Sequence, residues 1–354
     1  VNHPVAATYF KQAAKRGTKL IVLDPRGITM GAYAHRMVRF TPGSDVSLLN
    51  AMLNVIVTEH LYDEAYIAAH TEGFEALKAV LRRWQGRELP RALSLFIGNV
   101  AAARAGLRRL PGQPDYNRVW PGTETPGLPE AMLMARVVEH MKRRRPFASI
   151  DIHNNTGINP HYACLVRLEP SFLHLARLFS RIAVKFERPL GVQATAVAGL
   201  CPAVTVECGK IGIQSGVAHT AEFIEAALHL DHYPQHAVAA RDLEVLQTVA
   251  IVKVPPEASF SFDGSAADFR FRGDLDHLNF REMQPGAAFG HLAAASAARL
   301  LVVPGGPMPL QGDYFAYADG EIRLTRPVVP AMLTTDPLAV RNDCLCYLME
   351  RIGI

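Results

Sequence analysis

The chain has 354 residues, enough for two domains with separate cores. Apolar residues make up 49% and charged residues 20%, as in ordinary water-soluble globular proteins, and a net charge of +4 gives no electrostatic footprint for nucleic acid. No stretch approaches ~18 uninterrupted apolar residues, which argues against a membrane span.

Residues 4–16 suit an amphipathic helix ended by Gly17, followed by a buried strand Lys19-Leu-Ile-Val-Leu23 that Asp24-Pro-Arg26 stops. A second helix is expected from about Asp45 to His60, capped by Ser44 or Asp45, completing half of a doubly wound α/β unit. A helix near 73–84 and a strand Ala92–Ile97 come next, then a Gly- and Pro-rich loop over 111–129. Helix 130–144 ends in Lys142-Arg-Arg-Arg145, which reads as a solvated C-terminus favoured by the helix dipole. Strand 147–152, helix 171–185, strand 203–206 and helix 217–229 continue the alternation. From about 245 the runs at 249–254, 258–262 and 322–326, separated by Gly, Pro and Asp turns, describe a small antiparallel β domain. The five cysteines fit no zinc-ribbon or iron–sulfur spacing and read as reduced and buried, which points to the cytoplasm. The first residues lack the basic and apolar regions of a signal peptide.

Three segments concentrate the chemistry: Asp115-Tyr-Asn-Arg118, Asp151-Ile-His-Asn-Asn-Thr-Gly157 and Val204-Thr-Val-Glu-Cys-Gly-Lys210. A histidine, an Asn-Arg pair and a glutamate beside apolar strands or loops are the parts of a metal-assisted amide hydrolase. Blander readings stand beside each: a satisfied loop histidine, a glutamate capping the next helix, loop residues bonding their own backbone, and a solvated arginine. His229, His232 and His236 with Asp231 have ligand-like spacing but suit a polar helix end, while His161 and His219 are weaker candidates for the pocket border.

Residues 1 to about 78 resemble the formate dehydrogenase large subunit of the molybdopterin oxidoreductase family, through Val1-Asn-His-Pro-Val-Ala-Ala7, Lys19-Leu-Ile-Val-Leu-Asp-Pro-Arg26, Thr41-Pro-Gly-Ser-Asp45 and Leu61-Tyr-Asp-Glu-Ala-Tyr-Ile67. The resemblance implies a Rossmann-like βα fragment, without the cysteine cluster or metal-ligating residue that redox work in that family needs. Residues from about 73 to 354 resemble the aspartoacylase/succinylglutamate desuccinylase family of zinc hydrolases, through Gly98-Asn-Val-Ala-Ala-Ala103, Arg108-Arg-Leu110, Asp115-Tyr-Asn-Arg-Val-Trp-Pro-Gly122, Asp151–Gly157 and Val206-Glu-Cys-Gly209.

This second resemblance implies an α/β fold: a zinc-carboxypeptidase-like mixed sheet flanked by helices. The expected divisions are 1–78 for the oxidoreductase-like fragment, 79–243 for the catalytic domain and 244–354 for the C-terminal β domain. It also implies that His153 ligates zinc, oriented by Asp151 and Asn154, and that Glu207 is the general base toward zinc-bound water. Asn117 and Arg118 would hold a substrate carboxylate, and Arg108, with Arg109 as its rival, would stabilise the oxyanion. A tyrosine that some members supply late in the chain falls near Met332 or Leu333. The family's His-x-x-Glu zinc motif should occupy positions 67 and 70, which here are Ile67 and His70, and His70 with Glu72 has the wrong spacing. The expected function is cleavage of an N-acyl amino acid by zinc-activated water, impaired by the missing motif. The alternatives are a formate dehydrogenase-like fragment and a non-catalytic chimera. The expected partner is a small-molecule N-acyl amino acid rather than nucleic acid or membrane, with a homo-oligomer left open.

Overall fold

A computed structural model describes residues 4–41, 45–63, 89–294 and 296–354. These residues divide between two compact units, one comprising the described residues up to 63 together with 89–97, and the other beginning at residue 98. The helix expected near 73–84, positions Ile67, His70 and Glu72, and the candidate cap Ser44 lie outside the described residues.

In the first unit α1 (Pro4–Lys15) leads to β1 (Ile21–Leu23), a 3-10 turn (Thr29–Tyr33), β2 (Arg36–Val38) and α2 (Asp45–Thr58). Gly17, at φ +97°, closes α1 as the sequence predicts: its N–H bonds to the Ala14 carbonyl and that of Thr18 to Ala13, a geometry for which glycine has no Cβ penalty. β1 and β2 pair in parallel. The turn after β1 satisfies itself, the Asp24 carboxylate accepting from the Arg26 backbone N–H at 2.8 Å and from its guanidinium. Buried apolar contacts centre on Ala7, Val22 and Met30, while Met52, Val55 and Ile56 of α2 are exposed. The expected strand at 92–97 is irregular, with Leu95, Phe96 and Ile97 exposed.

The second unit begins with α3 (Val100–Arg104), whose N-terminus is capped by the Asn99 side chain on the Ala102 N–H. It continues through α4 (Pro129–Arg144), β3 (Ser149–Asn155), β4 (Tyr162–Leu165), α5 (Pro170–Phe179), β5 (Ile182–Lys185), α6 (Gln193–Val197), β6 (Ala203–Lys210) and α7 (Gln214–Leu228). The helix expected over 171–185 therefore stops at Phe179. The Ser180 hydroxyl donates to the His161 carbonyl and accepts from the Ile182 N–H, turning the chain so that the last apolar residues form β5. After these come β7 (Glu244–Lys253), β8 (Phe260–Ser261), β9 (Phe269–Phe271), β10 (Ala288–Leu292), β11 (Leu301–Pro304), β12 (Phe315–Ala318), β13 (Glu321–Leu324), β14 (Val329–Ala331), α8 (Pro337–Asn342) and β15 (Cys346–Ile352).

Among the described residues the large mixed sheet runs β14-β15-β7-β5-β4-β6-β3, with β11 also on β7. A second sheet, β12-β13-β10-β9-β8, is antiparallel except for the β8–β9 pair. Strand residues alternate between faces. On one face of the large sheet Ala163, Leu165, Val204, Val206 and Val245 pack beneath Leu173, Leu175, Phe179 and Phe223 of α5 and α7. The opposite face carries a second apolar cluster, Tyr162, Val184, Leu246, Val329, Ala331 and Met349, beside a row of polar residues on β3 and β6.

The segment after β3 is pinned to the chain just before α8. The Asn279 amide donates to the Ile158 and Leu333 carbonyls at 3.1 and 2.9 Å and accepts from the Leu333 N–H at 2.8 Å. A Cβ added at Gly157 would overlap the Leu333 carbonyl oxygen, whereas one at Gly199 would meet open space. Gly157→Ala should therefore lose about 1–3 kcal/mol in urea unfolding, and Gly199→Ala should stay within about 0.5 kcal/mol of the parent.

Candidate active site

β6 lies between β3, which it joins in parallel, and β4, which it joins antiparallel. The register sets His153 opposite Glu207, and Glu207 opposite Tyr162. Paired residues point to the same face, so these three side chains stand abreast. The next row on that face contains Asp151, Thr205 and Cys164. This face forms the floor of a cavity lined by His153, Tyr162, Cys164, Val184, Thr205 and Glu207, with Thr248, Tyr347 and Met349 farther across the sheet. β3 adds Asn154, and the connecting segments supply Arg108, Asn117, Arg118, Arg188, Met332 and Asp343.

The five residues singled out from the sequence, Arg108, Asn117, Arg118, His153 and Glu207, thus line one cavity. Arg109, the alternative to Arg108, is not among the lining residues; its guanidinium reaches toward Asn342. Glu207 sits within β6 rather than after it and is buried. His161 and His219 do not line the cavity; they stack on each other with centroids 4.6 Å apart, and His219 Nε2 lies 2.6 Å from the Phe179 carbonyl. His229 and His236 each bond a nearby backbone carbonyl, Glu225 and Ala237 respectively.

His153 is held by two acids. Its Nε2 lies 3.1 Å from Asp151 Oδ2 and its Nδ1 3.9 Å from Glu207 Oε1. Burial opposes the charged imidazole, but the attraction and hydrogen bond of Asp151, together with the Glu207 charge, prevail and lift its pKa to about 9. Burial raises the Glu207 carboxyl, with the His153 charge and the Asn155 amide (Nδ2 to Oε2, 3.4 Å) opposing. Asn154, expected to orient the His153 ring, instead donates to the Gly209 carbonyl at 3.2 Å.

The cationic wall is built from loops. Asp115 caps the short turn Tyr116–Arg118 by accepting from the Asn117 N–H, and its other oxygen receives Arg108 Nε and Nη2 at 3.0 and 2.6 Å. Arg118 donates to the Asn117 carbonyl at 2.8 Å and to both oxygens of Asp343 at 3.1 and 3.3 Å. Burial would lower the Arg108 pKa, but the Asp115 carboxylate more than compensates and raises it. Met332, at the position expected for a late tyrosine, accepts from the Tyr162 hydroxyl at 3.0 Å and holds φ +60°, a strained value for its residue type.

Sequence reasoning missed Arg188, Asp343, Tyr162 and Tyr347. The two tyrosines carry a signal: each occupies a strand position whose parity puts it on the cavity face. Arg188 and Asp343 carry none, because each lies in a loop.

Zinc requires ligand atoms with free lone pairs. Among the described residues no group of three His, Cys, Asp or Glu side chains could hold a metal ion. The described donor set does not fit zinc.

No family model matches the chain. It is 41% identical over 80 residues to formate dehydrogenase H of Escherichia coli, covering 23% of this chain and 11% of that protein. It is 39% identical over 82 residues to the F420-dependent formate dehydrogenase subunit alpha of Methanocaldococcus jannaschii, covering 23% and 12%. The chain thus spans about a tenth of the length of these relatives. Among solved structures, a succinylglutamate desuccinylase/aspartoacylase of Rhodobacter sphaeroides aligns with TM-score 0.51 and 15% identity over 81% of this chain and 83% of that one. Murine aminoacylase 3 aligns with TM-score 0.50 and 14% identity over 80% and 92%.

The raised imidazole has a consequence for stability. A group whose pKa is higher in the folded state stabilises fully below its unfolded value, near 6.5, and that contribution disappears as pH climbs through about 9. NMR titration should find the His153 ring changing charge near pH 9, and Asp151→Asn should move that midpoint down toward 6.5. The chain therefore joins a stretch similar to the formate dehydrogenase large subunit to a mixed α/β fold shared with the succinylglutamate desuccinylase/aspartoacylase structures.

Proposed function

We propose that the chain is a hydrolase of the aspartoacylase/succinylglutamate desuccinylase type whose cavity takes an N-acyl amino acid and acts on its amide bond. The observation that supports this reading is the side-by-side placement of His153 and Glu207 on the cavity floor, facing Arg108, Asn117 and Arg118. Glu207, buried with an elevated pKa, is suited to take a proton from an attacking water and return it to the leaving nitrogen. Arg108, fixed by Asp115, presents its charge where an oxyanion would develop. Asn117 and Arg118 form the wall on which the amino-acid end of the ligand rests.

The resemblance also implies zinc, whose ligands the described residues do not supply. Loss even of an outer partner of a metal site costs ~10–100-fold in activity. Turnover should therefore fall below about 0.1 s⁻¹, against the ~10 s⁻¹ of a median enzyme. A panel of N-acyl amino acids followed by amine release tests this, and Glu207→Gln should remove the residual rate. Stoichiometric zinc with an ordinary turnover would overturn the impairment; failure to bind or cleave any member would overturn the ligand class.

The likeness to formate dehydrogenases favours a second reading, in which the N-terminal unit is a Rossmann-like fragment of a molybdopterin oxidoreductase. Iron–sulfur or molybdenum-cofactor absorbance in the purified protein would support it. A featureless visible spectrum would count against it.

A further inference from the structure

The cavity wall carries three guanidinium groups, and two are already matched by carboxylates: Arg108 by Asp115 and Arg118 by Asp343. The third, Arg188, is exposed and has no hydrogen bond or ion pair with another described residue. Its neighbour Glu187 does not neutralise it, because that carboxylate is 2.9 Å from Lys185 Nζ. The loop that carries Arg188 is docked against the segment that carries Arg118. The Trp120 N–H donates to the Gly191 carbonyl at 3.0 Å, and Gly191 sits at φ +71° so close that a Cβ there would overlap the Arg118 carbonyl. Arg188 is thus a positive charge with a fixed base at the edge of the cavity.

A ligand carboxylate approaching Arg118 must displace Asp343 or share the guanidinium with it, and two carboxylates at one site repel. Arg108 presents the same obstacle through Asp115. Arg188 presents its whole charge and five donors without competition. We propose that Arg188 receives the carboxylate of the bound acyl amino acid, while the Arg118–Asp343 pair is a neutral element that shapes the wall. This rests on the ligand class proposed above and reassigns the carboxylate contact within it.

Calorimetric titration of the full chain with N-acetylglycine and N-acetylglycinamide, which differ in the carboxylate alone, tests the assignment. The parent should prefer the carboxylate. Arg188→Gln should weaken N-acetylglycine about tenfold while leaving N-acetylglycinamide unchanged, and Arg188→Lys should retain part of the preference. Adding Asp343→Asn to Arg188→Gln should restore affinity for the carboxylate by releasing Arg118. If Arg188→Gln binds both probes like the parent and Arg118→Gln abolishes the preference, the carboxylate belongs to Arg118 and the proposal is wrong. If the parent binds neither probe, the ligand class itself fails, a result distinct from equal binding by parent and variant.

Discussion

Pairing between β3, β6 and β4 is the constraint from which the site follows. Because strand side chains alternate, a single register decides that His153, Glu207 and Tyr162 share a face and that Val204 and Val206 share the other. A slip of one residue would bury the imidazole and the acid against α5 and α7 and turn the valines into the cavity. The apolar packing of Phe179, Phe223 and Leu175 therefore does more than stabilise the domain. It holds the register, and the register aims the chemistry.

Electrostatics then settles the state of each group. The imidazole of His153 lies between two acids and stays protonated, while Glu207, enclosed beside it, is lifted toward neutrality. Both pKa values rise for different reasons: the acids outweigh burial at His153, and burial outweighs the neighbouring imidazole at Glu207. On the wall, compensation is nearly complete: each arginine that the motifs single out has its own aspartate. A buried cation without a partner would cost far more than an exposed one, so the half-buried Arg118 is matched by Asp343, whereas Arg188 sits where water reaches it.

The two units differ in how much they bury. The larger has several apolar clusters, on both faces of the mixed sheet and within the five-stranded sheet. The smaller centres its described core on Ala7, Val22 and Met30 and exposes Met52, Val55 and Ile56.

Much was readable before any coordinates. The Gly17 stop, the 130–144 helix and the apolar runs leading to His153 and Glu207 are local properties, written in periods of 3.6 and 2 that survive in any context. The motifs also named the five residues that meet in the cavity. Other features were not local. The run at 92–97 has the composition of a strand and is irregular in the fold. The helix expected to reach 185 ends at Phe179 because Ser180 finds a carbonyl nineteen residues upstream. The partnership of Arg118 with Asp343 joins residues 225 positions apart. Residue types and spacings reveal which groups can do chemistry, but which of them meet, which charges cancel and which cation is left open depend on distances between remote segments, and only the folded packing sets those.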